Sequence, residues 1–269
     1  MSDILIGFDI YNPSSIIENL PVMAENQPVE NPPGEKKAEQ PNVTERTEPS
    51  APAAAYNTDE GIVLKNNTDY TIDTAKLINE NLDFKITKKA PSVLIVHTHT
   101  SECYQPVDAP DFEASDSHRT QNPKYSVVRV GDEIAAVLSS YGISVLHDRT
   151  LHDSPSYNGA YARSLTSNEG YLEKYPSLSF VLDVHRDAVQ DASGQQYKLV
   201  SREEPHAAQI SLVMGSDHDR WQDNLRLAVA VEERLMQSYP TLMRPITLRN
   251  YSYNQSVCPG SMLVEVGAA

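Results

Sequence analysis

From Gly61 onward the hydrophobic residues fall into two alternating patterns: short unbroken runs, and runs spaced three or four apart. SVLIVHTH (92–99) is a β-branched run of the kind found in a strand buried on both faces. Val130, Ile134, Val137 and Leu138 then recur at helical spacing, and Gly142 after Tyr141 marks a stop. ISVLH (143–147) predicts the next strand, and residues 157–174 a helix ending before Pro176. LSFVLDVH (178–185) predicts another buried strand, and a hairpin is expected from QYKLVSR (196–202) to AAQISLVMG (207–215). Trp221, Leu225, Ala228, Val229, Leu235 and Met236 make one apolar helix face that stops near Pro240. ITLRN (246–250) and SMLVEVG (261–267) close the pattern as strands. The alternation predicts an α/β fold, with a mostly parallel central sheet and helices on both faces. In such sheets, functional groups gather at the C-terminal ends of the strands.

Residues 1–60 have a different texture. Seven of the 18 prolines lie between Pro21 and Pro52, and EKKAEQPNVTERTEPSAPAAA (35–55) has no aromatic residue. Such a stretch buries too little apolar surface to offset its ordering entropy. A disordered linker is therefore expected over 1–60, and one domain over 61–269. Lys and Arg total 22 against 37 Asp and Glu, a net charge of −15, which argues against a nucleic-acid partner. No run approaches the roughly 18 apolar residues of a membrane-spanning helix. Met1–Ile10 carries Asp3 and Asp9 without Lys or Arg, unlike a signal peptide, so the chain reads as cytosolic or as a piece of a longer exported protein. Cys103 and Cys258 allow at most one disulfide and exclude a Cys-rich zinc module.

Imidazoles and carboxylates cluster at three strand ends. The first run ends in His97-Thr98-His99-Thr100-Ser101-Glu102, the second in Asp183-Val184-His185-Arg186-Asp187, and the last contains Glu265. Two His and a carboxylate with one open position is the donor set of catalytic zinc. His97 and His99, at i and i+2, are expected on the same side of a strand. Glu265 lies in an apolar run, where its charge needs a partner such as a metal or an Arg. Asp183 is placed to orient an imidazole. Arg129 and Arg149 are the candidate substrate contacts. Arg186 and Asp187 are candidates either to pair with each other or to contact substrate. Cys103 reads as a small buried residue, and His118, His152, His206 and His218 as solvated. Tyr104, Tyr157 and Tyr161 lie near the expected groove.

VLIVHTHTSECY, SVVRVGDEIAAVL, YGISVLHDRTLHD, YNGAYARS, VLDVHRDA and MLVEVG occur in an order that resembles the stage II sporulation protein P family, from about residue 61 to the C-terminus. That family is similar to the zinc-dependent N-acetylmuramoyl-L-alanine amidases. The resemblance implies an amidase-like fold and hydrolysis of the amide between muramic acid and L-alanine, together with peptide cross-link cleavage, during sporulation engulfment. It implies Zn2+ as cofactor and peptidoglycan as substrate. It also implies a lytic transglycosylase partner (stage II sporulation protein D), a membrane scaffold protein, and an extracytoplasmic, membrane-anchored setting. His185 matches the second zinc histidine and Glu265 the catalytic Glu. Strand alignment favours His99 as the first ligand, with His97 two residues away as the alternative. The wider amidases take their Glu ligand from the start of the next helix, which here falls near Val127, so Glu102 takes that role. The chain stops at Ala269, where the resemblance leads one to expect a further segment and a final helix. A catalytically inactive, wall-binding or scaffold module of the same fold is the alternative reading.

Overall fold

The computed structural model describes residues 55–268 apart from 60, 80–81, 83, 85, 88, 106–111, 113–117 and 190–196. Apart from 55–59, the linker expected over 1–60 lies outside the described residues. Those five residues form a strand, β1 (Ala55–Asp59), so the sheet starts before the expected boundary at 61. β1 pairs antiparallel with β2 (Ile62–Asn67). Neither strand was expected from the sequence pattern, nor was the short helix α1 (Thr74–Asn79).

The remaining elements follow the expected alternation: β3 (Val93–Val96), α2 (Val127–Ser140), β4 (Val145–His147), α3 (Ala160–Lys174) and β5 (Phe180–Asp187), then β6 (Ile210–Gly215), α4 (Trp221–Ser238), β7 (Ile246–Arg249) and β8 (Gly260–Ala268). One eight-stranded sheet results, in the order β1-β2-β7-β6-β8-β5-β3-β4. It is mostly parallel; β1–β2 and β6–β8 are the antiparallel pairs. The expected 196–215 hairpin is reduced to a bridge between Val200 and Ala208, because β6 is zipped instead to β7 and β8.

Side chains alternate across β3. Val93 and Ile95 pack on Val130, Ile134 and Leu138 of α2, whereas Leu94 and Val96 pack on Tyr171 and Leu172 of α3. The two helices therefore cover opposite faces, as period-2 alternation requires. Ser126 caps α2, its side chain accepting from Val128 N. A larger core joins β2, β6, β7 and β8 to α1 and α4, centred on Leu64, Leu212, Met214, Leu225 and Ile246.

β5 and β8 approach closely at their start, where Phe180 faces Gly260. A Cβ on Gly260 would stand 2.2 Å from Ser179 O and 2.8 Å from Phe180 Cδ1. Backbone cannot yield as a long side chain can. Gly260→Ala is expected to cost about 1–3 kcal/mol, the usual scale of overpacking. An unchanged urea unfolding midpoint in that variant would contradict the close approach.

Candidate active site

β8, β5 and β3 are adjacent and parallel, so their C-terminal ends form one edge of the sheet. His185 and Glu265 are direct register partners across β5 and β8, which places both side chains on one face about 4.8 Å apart at the backbone. β3 ends at Val96, earlier than the run 92–99 suggests, and the chain then turns, with Glu102 N donating to His99 O. The early end separates His97 from His99, correcting the expectation that both lie on one side. His97 Nδ1 donates to Val184 O at 2.8 Å and its Nε2 lies 2.8 Å from His147 Nε2, so both ring nitrogens are engaged. His99 faces the other way. Its ring meets His185 edge to face, with centroids 5.3 Å apart.

Glu102 Oε2 lies 3.3 Å from His185 Nδ1, and Asp183 Oδ1 lies 2.9 Å from His185 Nε2. The second approach lacks hydrogen-bond alignment, leaving Nε2 without a hydrogen-bond partner. His99 Nδ1 and Glu265 Oε2 are likewise buried without one. Glu102 reaches this position because Val127 N, at the start of α2, donates to Glu102 O at 2.9 Å. The residue that cannot bind a metal thus holds in place, through its backbone, the one that can.

The electrostatics divide the histidines. Burial opposes the charge of His185, but Asp183 and Glu102 prevail and hold its pKa well above the usual histidine value. His99 is pushed down to about 4, by burial first and then by the His185 charge. Burial drives Glu265 up to about 8, with His185 opposing and Glu102, Asp187 and Asp183 adding to the rise. Burial also works against the charge of Asp183, yet His185 and two hydrogen bonds from Thr98 bring it down to about 2. Those bonds run from Thr98 N to Oδ1 at 2.8 Å and from Thr98 Oγ1 to Oδ2 at 2.6 Å.

Arg119, which the sequence pattern did not single out, lies 3.6 Å from Glu102 and 2.7 Å from Asp153. Asp153 in turn accepts from Ser101 N and Ser101 Oγ. No local signal in sequence marks Arg119, because its partners come from two other segments, around Glu102 and around Asp153. Arg186 donates to the carbonyls of Cys103 and His118, and its N–H to Glu102. Asp187 pairs with Arg244, so the expected pairing of the Arg186 and Asp187 side chains is not formed. His152, expected to be solvated, is buried and lies 3.1 Å from Asp148. Cys103 is buried, as expected.

Arg129 and Arg149 are not among the contacts of His99, His185 or Glu265. Arg129 pairs with Glu133 one helical turn along and lines a cavity with Tyr104 and Lys124. Arg149 is exposed and pairs with Asp132, which lies 3.0 Å from His147. Tyr157 stacks on His99 at 4.5 Å, and Tyr161 meets it edge-on at 5.5 Å.

The sequence matches the model of the family described as stage II sporulation protein P over residues 12–269. The chain belongs to the stage II sporulation protein P family. The match begins well before residue 61, where the motif resemblance starts, and takes in most of the Pro-rich stretch. Membership makes this a sporulation protein and supports a hydrolase acting on peptidoglycan. No curated protein matches the sequence. Among solved structures, the chain is similar to the CwlD amidase from Clostridioides difficile, determined in complex with the GerS lipoprotein. The likeness has 14% identity, covers 66% of this chain and 82% of that one, and has a TM-score of 0.38. Among the described residues, no helix is long and apolar enough to cross a membrane.

Asp183 carries much of the site's stability. In Asp183→Ala, the buried N–H and hydroxyl of Thr98 lose their acceptor, at a cost of about 1–3 kcal/mol. Asp183→Asn keeps an acceptor oxygen and is expected to lose less. Denaturant unfolding of both variants checks the order.

Proposed function

We propose that the chain is a zinc-dependent peptidoglycan hydrolase that cleaves the N-acetylmuramoyl-L-alanine amide. The observation that carries this reading is the convergence on the His185 imidazole, at one sheet edge, of two buried polar atoms without a hydrogen-bond partner: His99 Nδ1 and Glu265 Oε2. Leaving such atoms unsatisfied costs free energy unless a ligand or ion completes them. Among the described residues, no three His, Cys, Asp or Glu side chains are drawn together as a finished ligand set. The donor chemistry nonetheless suits zinc, with a neutral imidazole at His99, an imidazole at His185 and a carboxylate at Glu102. His99 is favoured over His97, because both ring nitrogens of His97 are already occupied. When bound, the ion would supply Lewis-acid polarisation of the scissile carbonyl and lower the pKa of the attacking water.

The protein's own groups perform the proton transfers. Glu265 takes a proton from the water that adds to the carbonyl carbon. It returns that proton to the nitrogen as the C–N bond breaks, leaving on the lactyl side a carboxylic acid, which holds the water's second proton until it ionises, and a free amine on L-alanine. Asp183 and Glu102 flank His185 and fix its ring. Cross-link cleavage, an extracytoplasmic membrane-anchored setting, and action beside a lytic transglycosylase and a membrane scaffold belong to the same proposal.

Glu265→Gln is expected to keep zinc and the fold but lose at least about 10²-fold in rate. Glu102→Gln and His185→Ala should lose zinc, and His99→Ala should lose more than His97→Ala. Zinc content, measured beside mass-spectrometric identification of products from purified cell walls, checks all five variants. Full zinc and full turnover in His185→Ala would overturn the assignment. Wall binding without product in the wild type would support the inactive module instead.

A further inference from the structure

Beyond His99 the site continues into a run of tyrosines. Tyr157 stacks on His99, and Tyr161 stands edge-on to it. Tyr161 in turn meets Tyr251 at 6.0 Å and Tyr253 at 6.1 Å, and those two rings lie 4.8 Å apart. The four rings come from two segments distant in sequence, 157–161 before and within α3 and 251–253 after β7. Two of them stay open to solvent. Tyr157 is 52% exposed although its ring meets both His99 and the Arg119 guanidinium, and Tyr251 is 46% exposed.

The fold accepts backbone strain to hold this arrangement. Tyr253 and Asn254 are consecutive non-glycine residues with φ of 49° and 56°. A bulky residue in that left-handed region is a true outlier and persists only where its surroundings over-determine it. They do so here. Asn254 Nδ2 donates to Tyr161 O at 2.8 Å and to Ser164 Oγ at 3.0 Å. Buried Gln255 bridges Gly215 N and Val213 O. Gly215 itself must lack a Cβ, which would stand 2.2 Å from Tyr251 O. Ser164 is also hydrogen-bonded to Thr98, so the tyrosine segment is tied directly to the turn that carries His99.

The chemistry of the rim is neutral. Ser154-Pro155-Ser156-Tyr157-Asn158 and Asn250-Tyr251-Ser252-Tyr253-Asn254 contain amides, hydroxyls and phenols and no charged residue. The nearest arginine on α3, Arg163, is spent on the carbonyls of His152, Ser156 and Asn158. Arg119, over the Tyr157 ring, is committed to Glu102 and Asp153, so among the described residues of this wall a stem peptide rich in carboxylates meets no cation that is not already engaged by carboxylates or carbonyls. A sugar ring presents an apolar C–H face that packs on an aromatic plane, with hydroxyl and acetamide groups around its edge that suit such a rim.

We propose that Tyr157, Tyr251 and Tyr253, backed by Tyr161, form a platform for the N-acetylated sugar rings of a glycan strand, so that the site engages its substrate from the polysaccharide side. The proposal rests on the hydrolytic reading above for its place in the reaction, but its test does not require turnover. Peptide-free glycan strands carry no scissile amide, so binding by the wild-type full chain is measured directly, with free stem peptide as the comparison. Tyr157→Ala/Tyr251→Ala is expected to weaken glycan binding at least tenfold and to leave stem-peptide binding unchanged. Tyr251→Trp, which keeps an aromatic plane, should retain glycan binding and so separates stacking from a general loss of structure. Glycan binding unchanged in the double variant, or a loss confined to the stem peptide, overturns the platform. If the wild type releases no product from walls yet binds glycan through these tyrosines, the hydrolytic reading fails and the platform stands.

Discussion

Asp183 is buried within β5 and keeps its charge because three groups answer it: the N–H of Thr98, the hydroxyl of Thr98 and the imidazole of His185. A carboxylate in that position without partners would be neutralised or expelled. With them, it joins the end of β3 to the end of β5. Thr98 lies between His97 and His99, so fixing its backbone sends the two imidazoles to different partners. His97 closes on Val184 and His147, and His99 turns toward His185.

Around it lies a second set of charged restraints. Arg119 spans Glu102 and Asp153, and Arg186 straps the 102–103 and 118 backbones together. These links are buried or half-buried, so solvent screens them less than surface pairs. A chain with net charge −15 thus concentrates arginine where its carboxylates converge. The arrangement keeps Glu102 ionised beside His185, while burial drives Glu265 the other way against the opposing His185 charge. Two carboxylates, Glu102 in the turn after β3 and Glu265 on β8, acquire different protonation behaviour from their surroundings, the arrangement by which acid–base roles are divided.

Much of this was written in the local pattern. The β-branched runs of β3 and β5, the helical spacing of α2 and α4 and the carboxylate in MLVEVG predict the alternating fold and three strand ends bearing imidazoles and carboxylates. Burial on both faces demands such runs, and a parallel sheet brings their C-terminal ends to one edge. β1 and β2 were not legible, because IVLKNN has no strict alternation to mark it and β2 gains its place by pairing with the distant β7.

The sequence by itself determined which residue types reach the sheet edge, since that follows from strand periodicity and direction. Only the tertiary structure decided how they are partnered. His97 and His99 look equivalent until β3 ends at Val96 and the turn separates them. Arg119, Asp153 and the tyrosines of 251–253 enter the site from segments far away in the chain. Arg129 and Arg149, farther from Glu102 in sequence than Arg119 is, pair with Glu133 and Asp132 instead. Ion pairs and ring contacts depend on distances of a few ångströms between such segments, and these exist only once the sheet and its covering helices have packed.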